Sequence, residues 1–383
     1  MSHNPVTLAR ELIRCPSVTP LDAGALDLVQ SWLEPSGFVC TRESFGQGNA
    51  RVDNLYARWG VIAPNFCFAG HTDVVPVGDI TKWDSPPFEA VIDGGILRGR
   101  GAADMKGAIA AFVAAVMDLF ESGWRPEGSI SFLITGDEEG PAIDGTKKLL
   151  QTITEMGESI DHCVVGEPTN PDVMGERIKN GRRGSLNAKL TVRGTQGHVA
   201  YPHRASNPVP VLMHVLNRLT ARTLDEGNAH FQASNLEVTS IDVGNSAHNI
   251  IPETARAMFN IRFNTEHGSD DLKAWINNLV ADVQAGFDGQ IEADLEVTGE
   301  AFLTRPCEFT TLVQDSVEAV TGQRPSLSTS GGTSDARFIT NYAPVVEFGG
   351  VSATIHQVNE HEKIENIQML KDIYQTILTR YFA

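Results

Sequence analysis

Apolar and polar positions follow two textures along the chain, and the change between them falls near Gly184. Upstream of it, helical spacing of apolar residues at Thr7–Arg14 and Ala25–Leu33 predicts helices, while Asn54–Trp59 and Asn65–Ala69 read as strands. Phe66, Cys67 and Phe68 are consecutive apolar residues, which predicts a strand buried on both faces. Lys106–Leu119 is an alanine-rich apolar helix opened by Gly107, Ser129–Thr135 a strand, Gly145–Met156 a helix and His162–Val165 a short strand. Strands alternating with helices predict a three-layer α/β domain around a central sheet. In such folds the chemistry belongs to the loops leaving the strands.

Downstream, Ser185–Arg193 alternates like a half-exposed strand, followed by a helix at Pro208–Ala221 and strands at Leu236–Val243 and Ala255–Phe263. A helix at Asp270–Ala285 and a strand at Ile291–Val297 complete the order β-α-β-β-α-β, a split βαβ or ferredoxin-like arrangement. After Glu300 the first texture returns, with a helix near Phe309–Val320, a Gly/Ser-rich turn, a strand at Pro344–Phe348 and a final helix at Ile367–Arg380. Residues 1–183 and 297–383 are therefore expected to form one catalytic domain, interrupted by an inserted α+β domain at 184–296.

A length of 383 residues accommodates two such domains. No apolar run reaches membrane-spanning length, and the N-terminus lacks the basic start and apolar core of a secretory signal, so the expected location is the cytoplasm with no membrane partner. The 5 cysteines are scattered and without CxxC spacing, which disfavours a disulfide framework or a thiolate zinc knot. A net charge of −18 argues against nucleic acid as a partner. Most of that charge reads as solvated surface, but a few acidic groups sit where solvation does not explain them.

The densest of these is the stretch SFLITGDEEG at Ser131–Gly140, where a buried apolar run ends in Asp137, Glu138 and Glu139. Clustered anions at a strand end call for cations. GHTD at Gly70–Asp73 and GRGAADMKG at Gly99–Gly107 are similar stations. Imidazole with carboxylate, and no thiolate, is the ligand set of a hydrolytic metal centre. His71 and Asp73 are spaced to point the same way, the carboxylate serving to orient the ring, although HTD alone reads first as a structural histidine. Asp104 lies in a glycine-rich turn where one carboxylate could reach two cations, or equally cap the following helix. Glu138 and Glu139 project differently, so one can bind a cation while the other acts as a general base; the other reading is a solvated acidic turn. Glu167 follows a buried strand in VVGEPT. His356, in ATIHQVNEH, is favoured over nearby His361, and Asn359–Lys363 reads as the solvated start of the last helix. Together His71, Asp104, Glu139, Glu167 and His356 could hold two zinc ions with Asp104 shared and Glu138 free.

With these residues assembled, the chain resembles the metallopeptidase family that includes carboxypeptidase G, aminoacylase and acetylornithine deacetylase. The resemblance covers essentially the whole length. It rests on GHTDVVPVGD, WDSPPFEAVIDGGILRGRGAADMKG, TGDEEGPAIDGT, VGEPT, KNGRRGSL, GTQGHVAYPH, HNIIP and SGGTSDARF. It implies one zinc at His71, Asp104 and Glu167 and a second at Asp104, Glu139 and His356, with cobalt able to substitute, Glu138 as the base and Asp73 as the partner of His71. The peptide bond after Asp104 is often cis in the family. Ala102-Ala103 departs from the polar residues common there, away from the ligands. The inserted domain is implied to be a dimerisation and lid domain of a homodimer, its His198 stabilising an oxyanion in the partner's site and its Asn249 crossing the interface. From the sequence alone His198 reads as a loop or interface residue.

Within the family the strings are most like those of bacterial members that cleave N-succinyl-LL-2,6-diaminopimelate to succinate and LL-2,6-diaminopimelate. A small anionic N-succinyl amino acid needs local cations in so acidic a protein, and Arg182, Arg262 and Arg337 are the candidates, with Tyr201, Gly332 and Thr333 from the turns. Each arginine could also be an ordinary surface ion pair. The alternatives are a related amidase such as an acetylornithine deacetylase or a dipeptidase, and a non-catalytic binding relative, which should have lost a ligand or the base.

Overall fold

A computed structural model describes residues 3–383. The chain forms two compact units: the first runs up to Asn180 and adds Thr304–Ser328 and Ser334–Ala383, and the second comprises Gly181–Leu303 with Thr329–Thr333. The expected boundaries at 184 and 296 fall inside the second unit. Gly181–Arg182 pairs antiparallel with Phe302–Leu303, which draws both ends of the insert beyond its ferredoxin-like strands. The return of Thr329–Thr333 was not foreseen; Thr329 Oγ1 donates to the His230 carbonyl at 2.6 Å.

The first unit is built on a sheet whose strands run, edge to edge, Val39–Phe45, Val52–Trp59, Ser129–Thr135, Asn65–His71, His162–Val165, Val345–Glu347, Arg177–Lys179 and Ser326–Ser328. Four neighbours at its centre, from Ser129–Thr135 to Val345–Glu347, are mutually parallel, so their C-terminal ends share one edge of the sheet. The Asn65–His71 and Ser129–Thr135 strands are buried along their whole length, as expected of strands covered on both faces. Phe66, Phe68 and Phe132 pack with Phe112 and Tyr374 from the helices Lys106–Glu121 and Ile364–Tyr381; the Phe68 and Phe112 rings stack at 4.3 Å. The alternate residues turn to the other face, where the Thr146–Glu155 helix lies. This is the predicted three-layer arrangement.

The edge strand Val39–Phe45 escaped the sequence reading, because its residues VCTRESF are mixed in polarity and none is buried. The first helix starts at Pro5, earlier than expected, because Asn4 Oδ1 accepts the Val6 and Thr7 amides and so caps it.

The second unit is a four-stranded antiparallel sheet in the order Asn235–Asp242, Thr254–Phe263, Gly184–Arg193, Gln290–Gly299. The helices Pro208–Thr220 and Ser269–Gln284 supply the remaining layer of a ferredoxin-like fold. Leu186, Ala188, Leu190 and Val192 alternate inward along the central strand and meet Leu212, Val215, Phe259 and Ile276 in a separate core. No helix among the described residues is long and apolar enough to cross a membrane.

Candidate metal centre

The parallel centre of the sheet brings the ligand stations to one edge. The Asn65–His71 strand ends on His71 itself, Ser129–Thr135 leads into Glu138 and Glu139, His162–Val165 into Glu167, and Val345–Glu347 into the loop bearing His356. Asp104 arrives from the loop before the Lys106–Glu121 helix. That loop approaches closely because its neighbours are small: a Cβ on Gly70 would lie 2.4 Å from the Met105 methyl carbon, and one on Gly166 would lie 2.6 Å from it. The Asp104–Met105 peptide bond is cis.

The result is a cluster centred on Asp104. Its Oδ1 lies 3.2 Å from His71 Nε2, and its Oδ2 lies 3.4 Å from His356 Nε2, so one carboxylate faces two imidazoles on opposite sides. Glu167 Oε1 is 3.7 Å from His71 Nε2, and Glu139 Oε1 is 2.9 Å from His356 Nε2. Two groupings that could each hold a metal ion follow, His71/Asp104/Glu167 and Asp104/Glu139/His356. A third, His71/Glu138/Glu139, shows that Glu138 stands beside the same space. His71, Asp104 and Glu167 are buried, whereas the His356 side chain is 49% exposed, so the cluster opens toward solvent on the His356 side.

The electrostatics describe a cation site. Burial alone would lower the His71 pKa, but hydrogen bonds with Asp104 and Asp73 raise it well above the usual imidazole value. Asp104 and Glu139 raise His356 to about 10. Burial opposes ionisation of Asp104, yet the two imidazoles outweigh it and hold the carboxyl below its normal range. Glu138 moves the other way: burial and the nearby Glu167 charge push it well above a normal glutamate. Carboxylates outnumber imidazoles here, and oxygen with imidazole nitrogen is a donor set suited to divalent zinc, manganese or cobalt. The residues present therefore fit a pair of divalent cations.

His71 has Asp73 as its neighbour at Nδ1. Its Nδ1 lies 2.9 Å from the main-chain carbonyl of Asp73, with the Asp73 carboxylate farther off at 3.6 Å. That carboxylate also accepts the amides of Glu138 and Glu139, at 3.3 and 3.1 Å. Asp73 thus ties the acidic turn to the His71 strand. Asp137 supports the same turn, its Oδ2 accepting the Ile143 and Asp144 amides.

The sequence profile of Peptidase family M20/M25/M40 matches residues 67–380. The chain belongs to this family. It is 61% identical over 379 residues to a protein of Maricaulis maris named succinyl-diaminopimelate desuccinylase, covering 99% of this chain and 96% of that protein. It is 56% identical over 383 residues to a protein of the same name from Caulobacter vibrioides, covering 100% and 97%. Among solved structures, the M20 metallo-carboxypeptidase Sso-CP2 of Sulfolobus solfataricus aligns with TM-score 0.78 at 19% identity, covering 98% of this chain and 99% of that one. A Bacillus subtilis protein described as a dinuclear metal-binding peptidase of family M20 aligns with TM-score 0.73 at 14% identity, covering 99% and 97%. These two likenesses concern the fold.

Of the remaining expected residues of this M20 chain, all but Arg337 belong to the second unit. His198 is exposed on the short strand Gly197–His198, paired with Ile250–Ile251, its ring 5.7 Å from that of Tyr201. Asn249 is exposed beside it, its carbonyl accepting the Val199 amide. Arg182 and Gly332 do come together, Arg182 Nη1 donating to the Gly332 carbonyl at 3.0 Å, with half-buried Thr333 next in sequence. Arg262 lies on the Thr254–Phe263 strand, and burial lowers its pKa. Arg337 Nη2 lies 3.9 Å from Asp335, its guanidinium over the Phe338 ring.

Three residues were missed. Arg183 sits near enough to Arg262 for their charges to repel, and the Arg-Arg pair in KNGRRGSL was the available signal. Asp335, in SGGTSDARF, is a buried carboxyl pushed up by burial and feels the charges of His71 and Asp73. Glu360 is 1% exposed, which overturns the reading of Asn359–Lys363 as a solvated helix start. A lone glutamate in a polar run gives no sequence sign of such burial.

Proposed function

We propose that this chain hydrolyses the amide bond of N-succinyl-LL-2,6-diaminopimelate, releasing succinate and LL-2,6-diaminopimelate, in the formation of diaminopimelate and lysine in a bacterial cytoplasm. One observation carries the reaction class: Asp104 offers one oxygen toward His71 and the other toward His356, each imidazole flanked by its own glutamate. The substrate is carried by near-full-length likeness to proteins named for that reaction. His71, Asp104 and Glu167 are assigned to one zinc ion and Asp104, Glu139 and His356 to the other, with cobalt as a substitute. Cations held there would supply Lewis acidity toward the amide carbonyl and lower the pKa of water at the site.

Glu138 is the base. Its carboxylate takes a proton from the attacking water and passes it to the departing amine nitrogen, and its raised pKa suits a group that must hold that proton in between. Asp73 acts by positioning, through the amides of Glu138 and Glu139. His198 is assigned to the developing oxyanion, supplied across a homodimer. Arg182, Arg262 and Arg337, with Tyr201, Asn249, Gly332 and Thr333, are assigned to the substrate's carboxylates, a planar guanidinium fork being suited to two-point binding.

The deciding experiment compares turnover of N-succinyl-LL-2,6-diaminopimelate with that of N-acetylornithine and a dipeptide, each with zinc and with chelator. Chelator-sensitive turnover of the succinylated substrate far above the others is expected. Preference for either competitor refutes the substrate assignment, and turnover that survives complete metal removal refutes the metal assignment.

A further inference from the structure

We propose that the buried ion pair Arg100–Glu360 is a positioning device that locks the Asp104 and His356 loops together and so sets the second cation subsite; this rests on the two-cation reading above. Glu360 Oε1 accepts three main-chain amides of the Asp104 loop, from Gly101 at 3.1 Å, Ala103 at 3.0 Å and Asp104 itself at 3.1 Å. Its other oxygen accepts from Arg100 Nη1 at 2.8 Å. The Glu360 carbonyl accepts the Gly99 amide at 3.0 Å. A single residue thus holds the loop from Gly99 to Asp104.

Arg100 completes the tie from the other side. Nη1 also donates to the Gln357 carbonyl at 3.2 Å, the residue after His356, and Nη2 donates to the Pro76 carbonyl at 3.3 Å. The guanidinium lies 5.3 Å from the centre of the Trp83 ring. Asn359 Oδ1 accepts the Asp84 amide at 2.8 Å, fixing the same turn once more. His356 and Asn359 both have positive φ, 61° and 62°, a conformation uncommon for non-glycine residues though less so for histidine and asparagine.

Stability alone does not account for such a pair. Two fully buried charges pay a desolvation cost that their attraction roughly cancels, and an apolar pair of similar size would often serve as well. What an apolar pair could not do is accept three converging amides on one oxygen while gripping the carbonyl beside His356. The Asp104/Glu139/His356 subsite needs both loops. The His71/Asp104/Glu167 subsite needs only one of them, its other ligands standing at the end of the Asn65–His71 strand and just past the His162–Val165 strand. Weakening the pair should therefore fall mainly on the second cation.

The test titrates cobalt into metal-free wild type, Glu360→Gln and Glu360→Ala, following visible absorption, with circular dichroism as a check on folding. Wild type should saturate at two equivalents. Both variants should take the first equivalent nearly as wild type does and bind the second roughly 10- to 100-fold more weakly, the range known for partners that orient metal ligands. Glu360→Gln, which keeps an oxygen for the amides, should be the milder of the two. If the alanine variant does not fold, the isosteric glutamine variant decides. Wild-type affinity at both equivalents, or equal loss at both, overturns the inference alone. A wild type that does not bind two equivalents overturns the two-cation reading and this inference with it.

Discussion

Replacing Glu138 by glutamine separates base from ligand more cleanly than any other change at this site. The side chain keeps its size and one oxygen, but the amide cannot hold the proton between water and leaving amine. Losing a positioned general base costs about 10²–10⁴-fold in kcat, which at about 1.4 kcal/mol per tenfold is roughly 3–6 kcal/mol of barrier. The fold should not suffer. Glu138 is half-buried and its charge is disfavoured by desolvation and by Glu167, so a neutral side chain relieves repulsion, and the melting temperature should stay level or rise. Metal content should stay at two ions, because the assigned ligands are untouched. The assay is the loss of amide absorbance of N-succinyl-LL-2,6-diaminopimelate, run beside elemental analysis of the same preparation. A kcat within fivefold of wild type refutes the base assignment. A kcat lost together with a bound metal shows that Glu138 is a ligand, as the alternative grouping with His71 and Glu139 allows.

Cation affinity should rise with pH. Asp104 and Glu139 hold His356 at about 10, so this ring carries a proton at neutral pH that a cation must displace, and Asp104 and Asp73 bias His71 the same way. Competition titrations between pH 6.5 and 8 should show about tenfold tighter binding per pH unit for each proton displaced, and a pH-independent affinity would contradict the assignment. Gly166→Ala should cost about 1–3 kcal/mol by overpacking, because its Cβ would lie 2.7 Å from the Phe68 ring and 3.0 Å from Ala108 as well as against Met105. An unchanged thermal melt would argue against that contact. In the second unit, burial disfavours the Asp225 charge, but hydrogen bonds from Ser234, Gly227 and Asn264 outweigh it and bring the pKa down to about 2. A depressed carboxyl stabilises above its unfolded value and loses that contribution as pH falls from about 4 toward 2, so Asp225→Ala should cost roughly 2–3 kcal/mol at pH 7 and converge on wild type in acid. Denaturant midpoints that differ equally at both pH values would count against it. His198→Ala should lower kcat while leaving metal content intact, and wild-type turnover would remove His198 from the oxyanion.

Legibility followed the range over which each feature is determined. Helices and strands driven by their own apolar periodicity were readable almost to the residue: Ala25–Leu33, Ser129–Thr135 and His162–Val165 have the expected bounds. The same local logic picked out the candidate ligands, because each sits near the end of a buried strand or in a glycine-rich turn whose composition differs from its surroundings. Elements without apolar periodicity of their own left no local trace, as with the mixed-polarity edge strand Val39–Phe45, and pairing across long separations hid the return of Thr329–Thr333 to the second unit. The groups that orient the ligands were hidden for the same reason. Asp73 was visible as a neighbour of His71, yet that its carboxylate also accepts the amides of Glu138 and Glu139 depends on how the Asn65–His71 and Ser129–Thr135 strands lie together. Glu360 is the extreme case. It stands in a run of polar residues that reads as surface, and it is buried only because Arg100 and three amides, some 260 residues away, converge on it. A metal site of this kind is therefore written in two layers: the ligands in local composition, and the precision of their placement in long-range pairs that only the folded chain brings together.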